Sequence, residues 1–231
     1  MWEKGLKKTI YTLAINNWEP EICDITFPLL KRYAAKIGAD FVVIGNRNFP
    51  DWPITYEKFQ IYELGQEDEN DWNIYIDADA LVHPETPDFT YYLNKDTVAH
   101  VGVDKATLRW KFDRFFLRDG RDISSCNWFS MASDWCIDFW HPADDLSPKE
   151  TMSRCFPTVE EELTQMVTPY HLIDDFLMSR NIAKFGLKFK CLSDIIAEKF
   201  PQSWFFWHQY TIPTEVKITE MKNIIEKWKV A

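Results

Sequence analysis

Glycine is scarce in this chain, with seven in 231 residues, and none of them stand as Gly-x-x-x-x-Gly-Lys, Gly-x-Gly-x-x-Gly or Gly-x-Ser-x-Gly. A loop that cradles phosphate with its own amides needs residues without a Cβ, so that the backbone can close around the anion. Any diphosphate bound here must be held another way, and a serine elbow is excluded as well. Long apolar runs are also missing. No stretch approaches the roughly 18 residues of a spanning helix, and the first eight residues, which include Trp2, Glu3, Lys4 and Lys7, lead into a strand instead of a signal-peptide core. Cationic charge is in deficit, with 26 Lys and Arg against 36 Asp and Glu for a net charge of -10. That balance argues against a broad electrostatic grip on nucleic acid. The five cysteines, Cys23, Cys126, Cys136, Cys155 and Cys191, are odd in number and form no Cys-x-x-Cys pair. Reduced thiols in a cytoplasmic protein are expected, and a zinc site fits poorly.

What remains is a chain rich in apolar side chains, 46% hydrophobic with eleven tryptophans, long enough for one large α/β domain. Residues 8–15 read as a first strand and 16–18 as the loop that leaves it. Pro20 opens a helix whose Ile22, Ile25, Leu29, Leu30, Tyr33 and Ile37 recur at helical spacing, and Gly38 stops it. A second strand at 41–44, a loop over 45–53 and a helix over 55–64 closed by Gly65 follow. The order strand, helix, strand opens a parallel nucleotide-binding sheet.

The most informative stretch is 72–82, Trp-Asn-Ile-Tyr-Ile-Asp-Ala-Asp-Ala-Leu-Val. Its β-branched and aromatic start is that of a strand buried on both faces, and it runs directly into Asp77-Ala78-Asp79. Two acids one residue apart at the carboxyl edge of a sheet are hard oxygen donors suited to Mg2+ or Mn2+, and an ion held there can hold a diphosphate. The plain alternative is a pair of acids that ends a strand and keeps a loop soluble. Further strands are expected at 98–103 and 125–132, with helical turns at 134–140. If 107–121 is helical, Lys111, Arg114, Arg118 and Arg121 share one face beside aromatic residues, either to receive a phosphate-bearing acceptor or as a solvated face. A helix entered after Pro169 carries Asp174 and Asp175 in its first turn, where the helix dipole alone accounts for acids, and ends at Gly186. The aromatic cluster 203–210 contains His208, and 214–229 is a terminal amphipathic helix.

Taken together, the strand-helix-strand opening, the Asp77-Ala78-Asp79 strand end and Asp174-Asp175-x-Leu177-x-x-Arg180 with Gly186 resemble a glycosyltransferase of the GT-A fold. Lys58-Phe59 and the placement of Asn127 resemble the small glycogenin-like and galactosyltransferase-like members, although their His-x-x-Gly-x-x-Lys pattern is absent after His208. The resemblance implies a single GT-A domain over 1–231, with a Rossmann-like, mostly parallel central sheet flanked by helices. It implies a nucleotide-binding half at about 1–103 and an acceptor-binding half at about 104–231.

By the same resemblance the donor is a nucleoside diphosphate sugar, most commonly a UDP-sugar, bound with Mn2+ or Mg2+. Asp79 would ligate the ion, Asp77 would touch the ion or the ribose next to Ala78, and His208 would be a third ligand or a packed core residue. Tyr11, Thr12 and Ala14, and more weakly Asp40 and Asn46, would line the base pocket, with Lys58 and Asn127 toward the donor. Asp175, beside Asp174, would be the base of an inverting transfer, the retaining glycogenin-like route being the alternative. A haloacid dehalogenase-like phosphatase and a non-catalytic sugar-binding protein are the readings of other classes.

Overall fold

The computed structural model describes residues 5–101, 128–155, 173–201, 203–209 and 212–230. Six strands form the central sheet: β1 (Lys8–Leu13), β2 (Ala39–Ile44), β3 (Trp72–Ile76), β5 (Thr97–His100), β6 (Phe129–Ser133) and β7 (Lys188–Cys191), in the order β2-β1-β3-β6-β5-β7. β1 pairs in parallel with β2 and β3, and β5 with β7, while β6 alone runs antiparallel to both neighbours. The sheet is therefore mostly parallel, as expected. β3 lies near its middle and is buried at all five positions, which is what its unbroken apolar and aromatic run requires.

One face of the sheet carries α1 (Pro20–Ile37) and α5 (Leu192–Lys199), whose Leu30, Tyr33, Ala34, Leu192 and Ile195 pack with Ile10, Ile74 and Met131. The other face carries a 3-10 helix (Ile54–Gln60), α2 (Ile61–Glu67) and α4 (Ile173–Phe185), through Tyr56, Phe59, Ile173, Phe176 and Leu177 against Tyr11 and Tyr75. α3 (Pro148–Cys155) lies between β6 and α4 in the chain. α1 begins at Pro20 and ends at Gly38, whose φ of 68° turns the chain left-handed while its N–H caps the last carbonyls.

Three local features change the expectations or add to them. The helix expected over 55–64 is a 3-10 segment continued by α2, and Gly65 lies inside α2 instead of closing it. Gly65 is there for closeness, because a Cβ on it would fall 2.6 Å from the Asn73 side-chain oxygen. A helix, α5, for which no expectation was set, follows β7 directly. Finally, β4 (Leu81–Val82) and β8 (Phe206–Trp207) form a two-stranded ribbon apart from the main sheet. The last helix, α6 (Thr214–Val230), sets Met221 and Ile224 against Ile22 of α1 and Leu81 of the ribbon.

Candidate metal centre

β3 ends at Ile76 and the chain turns at once. The Asp77 N–H donates to the Trp128 carbonyl at 2.7 Å and the Ala80 N–H to the Asp77 carbonyl at 3.1 Å, while the Ala78 carbonyl accepts the Thr26 hydroxyl of α1 at 2.6 Å. With its backbone pinned on three sides, the turn presents both carboxylates at the carboxyl edge of the sheet. The ribbon supplies the third group. Leu81 stands opposite Trp207 in its antiparallel register, so His208, one residue on, arrives beside Asp79.

His208 Nε2 lies 3.2 Å from Asp79 Oδ1 and 3.7 Å from Asp77 Oδ2, and the Trp128 ring stacks on the imidazole with centroids 4.9 Å apart. One ligand atom from each of Asp77, Asp79 and His208 falls within 4.8 Å of the others. Two carboxylate oxygens and one imidazole nitrogen could hold a divalent ion, with coordination positions left for further ligands.

Around this trio the charges alternate. Lys58, only 3% exposed, places Nζ 2.5 Å from Asp174 Oδ2, 3.7 Å from Asp77 Oδ1 and 4.5 Å above the Tyr75 ring. Burial alone would lower its pKa, but the charges of Asp174 and then Asp77 outweigh burial and hold it above the ordinary lysine value. The Tyr75 hydroxyl donates to Asp77 Oδ1 at 2.5 Å, and burial, followed by the Asp77 charge, pushes that phenol well up, so it stays a donor. On the other side Lys217 Nζ, from the first turn of α6, sits 2.5 Å from Asp79 Oδ2. Burial pushes the Asp79 carboxyl up, yet the hydrogen bond and charge of His208, and then Lys217, pull it down to about 2.

The structure thus brings together Lys58, Asp77, Ala78, Asp79, Asp174 and His208 from four separate parts of the chain. Asp175 follows Asp174 in the first turn of α4, 5% exposed, with its N–H donating to Asp174 Oδ1 at 3.1 Å. Ala14, half-buried at the end of β1, and exposed Asn46, whose carbonyl accepts Gln60 Nε2 at 2.9 Å, stand at the same sheet edge. Of the other residues expected in the base pocket, Tyr11 and Asp40 direct their side chains elsewhere. Tyr11 is fully buried and its hydroxyl joins Asn70 and Asn73, so its ring is core. Thr12 is fully buried one rung before the carboxyl end of β1, and its Oγ1 has no hydrogen-bond partner among the described residues. Asp40 lies opposite Thr9, four rungs before the Leu13–Ile44 end of the pair, near the amino edge of the sheet. Asn127 and the cationic set Lys111, Arg114, Arg118 and Arg121 fall outside the described residues.

Sequence reasoning missed Lys217, Trp128 and Tyr75. A signal for Lys217 existed, since it shares the apolar stripe of α6 with Met221 and Ile224 at helical spacing. A lysine on a buried stripe asks for a buried acid. The loop leaving β1 also carries a mark that composition could not show: Asn16, Asn17 and Glu19 all adopt positive φ, of 54°, 57° and 39°. Such left-handed non-glycine residues gather where a site constrains the backbone.

No protein-family model matches the chain, and no curated protein matches it in sequence. Solved structures do match. A glycosyltransferase involved in the glycosylation of the major capsid of PBCV-1 superposes with a TM-score of 0.53 at 10% identity, over 93% of this chain and 99% of that one. The galactosyltransferase LgtC, crystallised with donor and acceptor sugar analogues, superposes with a TM-score of 0.44 at 14% identity, over 94% of this chain and 95% of that one. A haloacid dehalogenase topology, which opens on its acid-bearing strand, does not fit a sheet in which a full strand-helix-strand unit precedes β3. The chain has the fold of a GT-A glycosyltransferase, with its acidic pair and a histidine gathered at the carboxyl edge of the central sheet.

Proposed function

We propose that this protein is a metal-dependent glycosyltransferase that moves a sugar from a nucleoside diphosphate sugar, a UDP-sugar by preference, to an acceptor hydroxyl. The observation that carries the reading is the convergence of Asp77, Asp79 and His208 within 4.8 Å at the sheet edge where ligands of α/β folds collect. A divalent ion bound there would supply Lewis-acid neutralisation of the charge that develops on the departing diphosphate.

The chain's own residues do the rest. Lys58 and Tyr75 fix Asp77, and Trp128 fixes the plane of His208, so the donor set is ordered before any ligand arrives. In the transfer, the bond between the anomeric carbon and the β-phosphate oxygen breaks with its electron pair leaving on the diphosphate. A bond forms from the acceptor oxygen to that carbon, and the acceptor proton passes to a base. Asp174 is held by Lys58 and serves as a positioning residue, and Asp175, next to it in the first turn of α4, is the carboxylate we assign to the proton in an inverting transfer.

The burial of Asp175, 5% exposed, favours a second reading in which it supports the sugar and the anomeric configuration is retained. A thermal-shift panel of nucleoside diphosphates with and without Mn2+, followed by NMR of the product anomer, tests both. UDP is expected to raise the melting temperature only with Mn2+, and Asp175→Asn is expected to keep that shift while cutting transfer roughly 100-fold or more. Transfer at near-normal rate in Asp175→Asn contradicts the base assignment, and no metal-dependent shift with any nucleotide contradicts the reading as a whole.

A further inference from the structure

Asp79 has both carboxylate oxygens engaged: Oδ1 by His208 Nε2 at 3.2 Å and Oδ2 by Lys217 Nζ at 2.5 Å. Lys217 is 5% exposed, and Asp79 is the one acid that lies within ion-pair reach of it among the described residues. Its stem belongs to the face of α6 that carries Met221 and Ile224, packed on α1 and the ribbon, so it is not a surface lysine that happens to swing inward. An ammonium and a divalent cation cannot share one carboxylate at close range in a dry site without strong mutual repulsion.

We propose that Lys217 is a resident counter-cation of the ion site: it holds Asp79 in the ion-free protein, competes with the divalent ion for that carboxylate, and thereby ties α6 to ion occupancy. With Lys217 in place the site tolerates being empty, and the ion must displace or repel the ammonium to bind. Lys217 therefore sets the affinity downward, in favour of an ion that arrives together with an anionic ligand.

This inference rests on Asp77, Asp79 and His208 being the ion site, and its test separates the two. Mn2+ binding is measured by calorimetry on the full chain for wild type, Lys217→Met, Lys217→Gln and the exposed-lysine control Lys222→Met, together with melting in EDTA and in Mn2+. Lys217→Gln keeps a hydrogen-bond donor for Asp79 without the charge, so it covers the case in which Lys217→Met fails to fold without the ion. Removing the charge is expected to tighten Mn2+ binding roughly tenfold or more and to enlarge the rise in melting temperature on adding Mn2+, with Lys222→Met behaving as wild type. Equal or weaker Mn2+ binding in both Lys217 variants overturns the proposal and leaves the ion site standing. Absence of Mn2+ binding in wild type and variants alike overturns the ion site itself, and the proposal with it.

Discussion

Single side chains in this protein are tuned by what surrounds them, and the clearest case outside the site is His100. It is fully buried at the end of β5, stacked on Phe189 with centroids 4.6 Å apart, and burial lowers its pKa to about 4. The unfolded imidazole takes up a proton below its ordinary value of 6.5, while the folded one resists until about 4. Between those values the unfolded chain binds more protons, so stability falls as pH drops through that window and is unaffected above it. The loss amounts to something on the order of 3 kcal/mol across the window. Melting followed from pH 7 to 4.5 is expected to show this slope in wild type and to show it reduced in His100→Leu. Equal slopes would mean that other groups carry the acid sensitivity. The same logic of surroundings applies to Asp174 of α4, which is tied to Lys58 and cannot be understood from its helix-dipole position alone.

Between elements, the pairs Lys58–Asp174 and Lys217–Asp79 act as buried ties. The first joins the 3-10 helix to α4, and the second joins α6 to the turn after β3. A consequence follows for the most obvious mutation of the site. From the sequence, Asp79→Ala is expected to abolish turnover in an intact fold. In the structure it strands the Lys217 ammonium in a buried position, and breaking such a pair from one side costs about 3–5 kcal/mol. Denaturant unfolding without metal is therefore expected to show Asp79→Ala clearly destabilised and Asp79→Ala with Lys217→Met largely recovered. If the single variant is as stable as wild type, the pair carries no structural weight. Loss of activity in Asp79→Ala must accordingly be read beside its stability before it is assigned to metal binding.

For the molecule as a whole, local patterns specified much of the architecture because they are local. The helix from Pro20 to Gly38, the buried run of β3 and the helix ending at Gly186 each declare themselves through period and caps. The acidic pair and His208 were visible as residue types, but their meeting depends on the β4–β8 ribbon, two residues a side, too short to leave a period. Tyr11 and Asp40 illustrate the opposite failure. Their nearness in sequence to a strand end, or to a second strand, says nothing of which face or which edge a side chain serves, and register decided both. Lys217 lies 138 residues from Asp79, and that contact needs the folded chain to exist. Among the described residues no helix is long and apolar enough to cross a membrane.

The central claim is that a divalent ion binds at Asp77, Asp79 and His208 and carries a nucleoside diphosphate. Pulsed electron paramagnetic resonance of Mn2+ added to the protein with UDP reads the ligands of the ion directly. The account predicts coupling to one imidazole nitrogen, lost in His208→Ala, together with coupling to diphosphate phosphorus. Mn2+ that shows phosphorus coupling but no nitrogen, unchanged by His208→Ala, would contradict it.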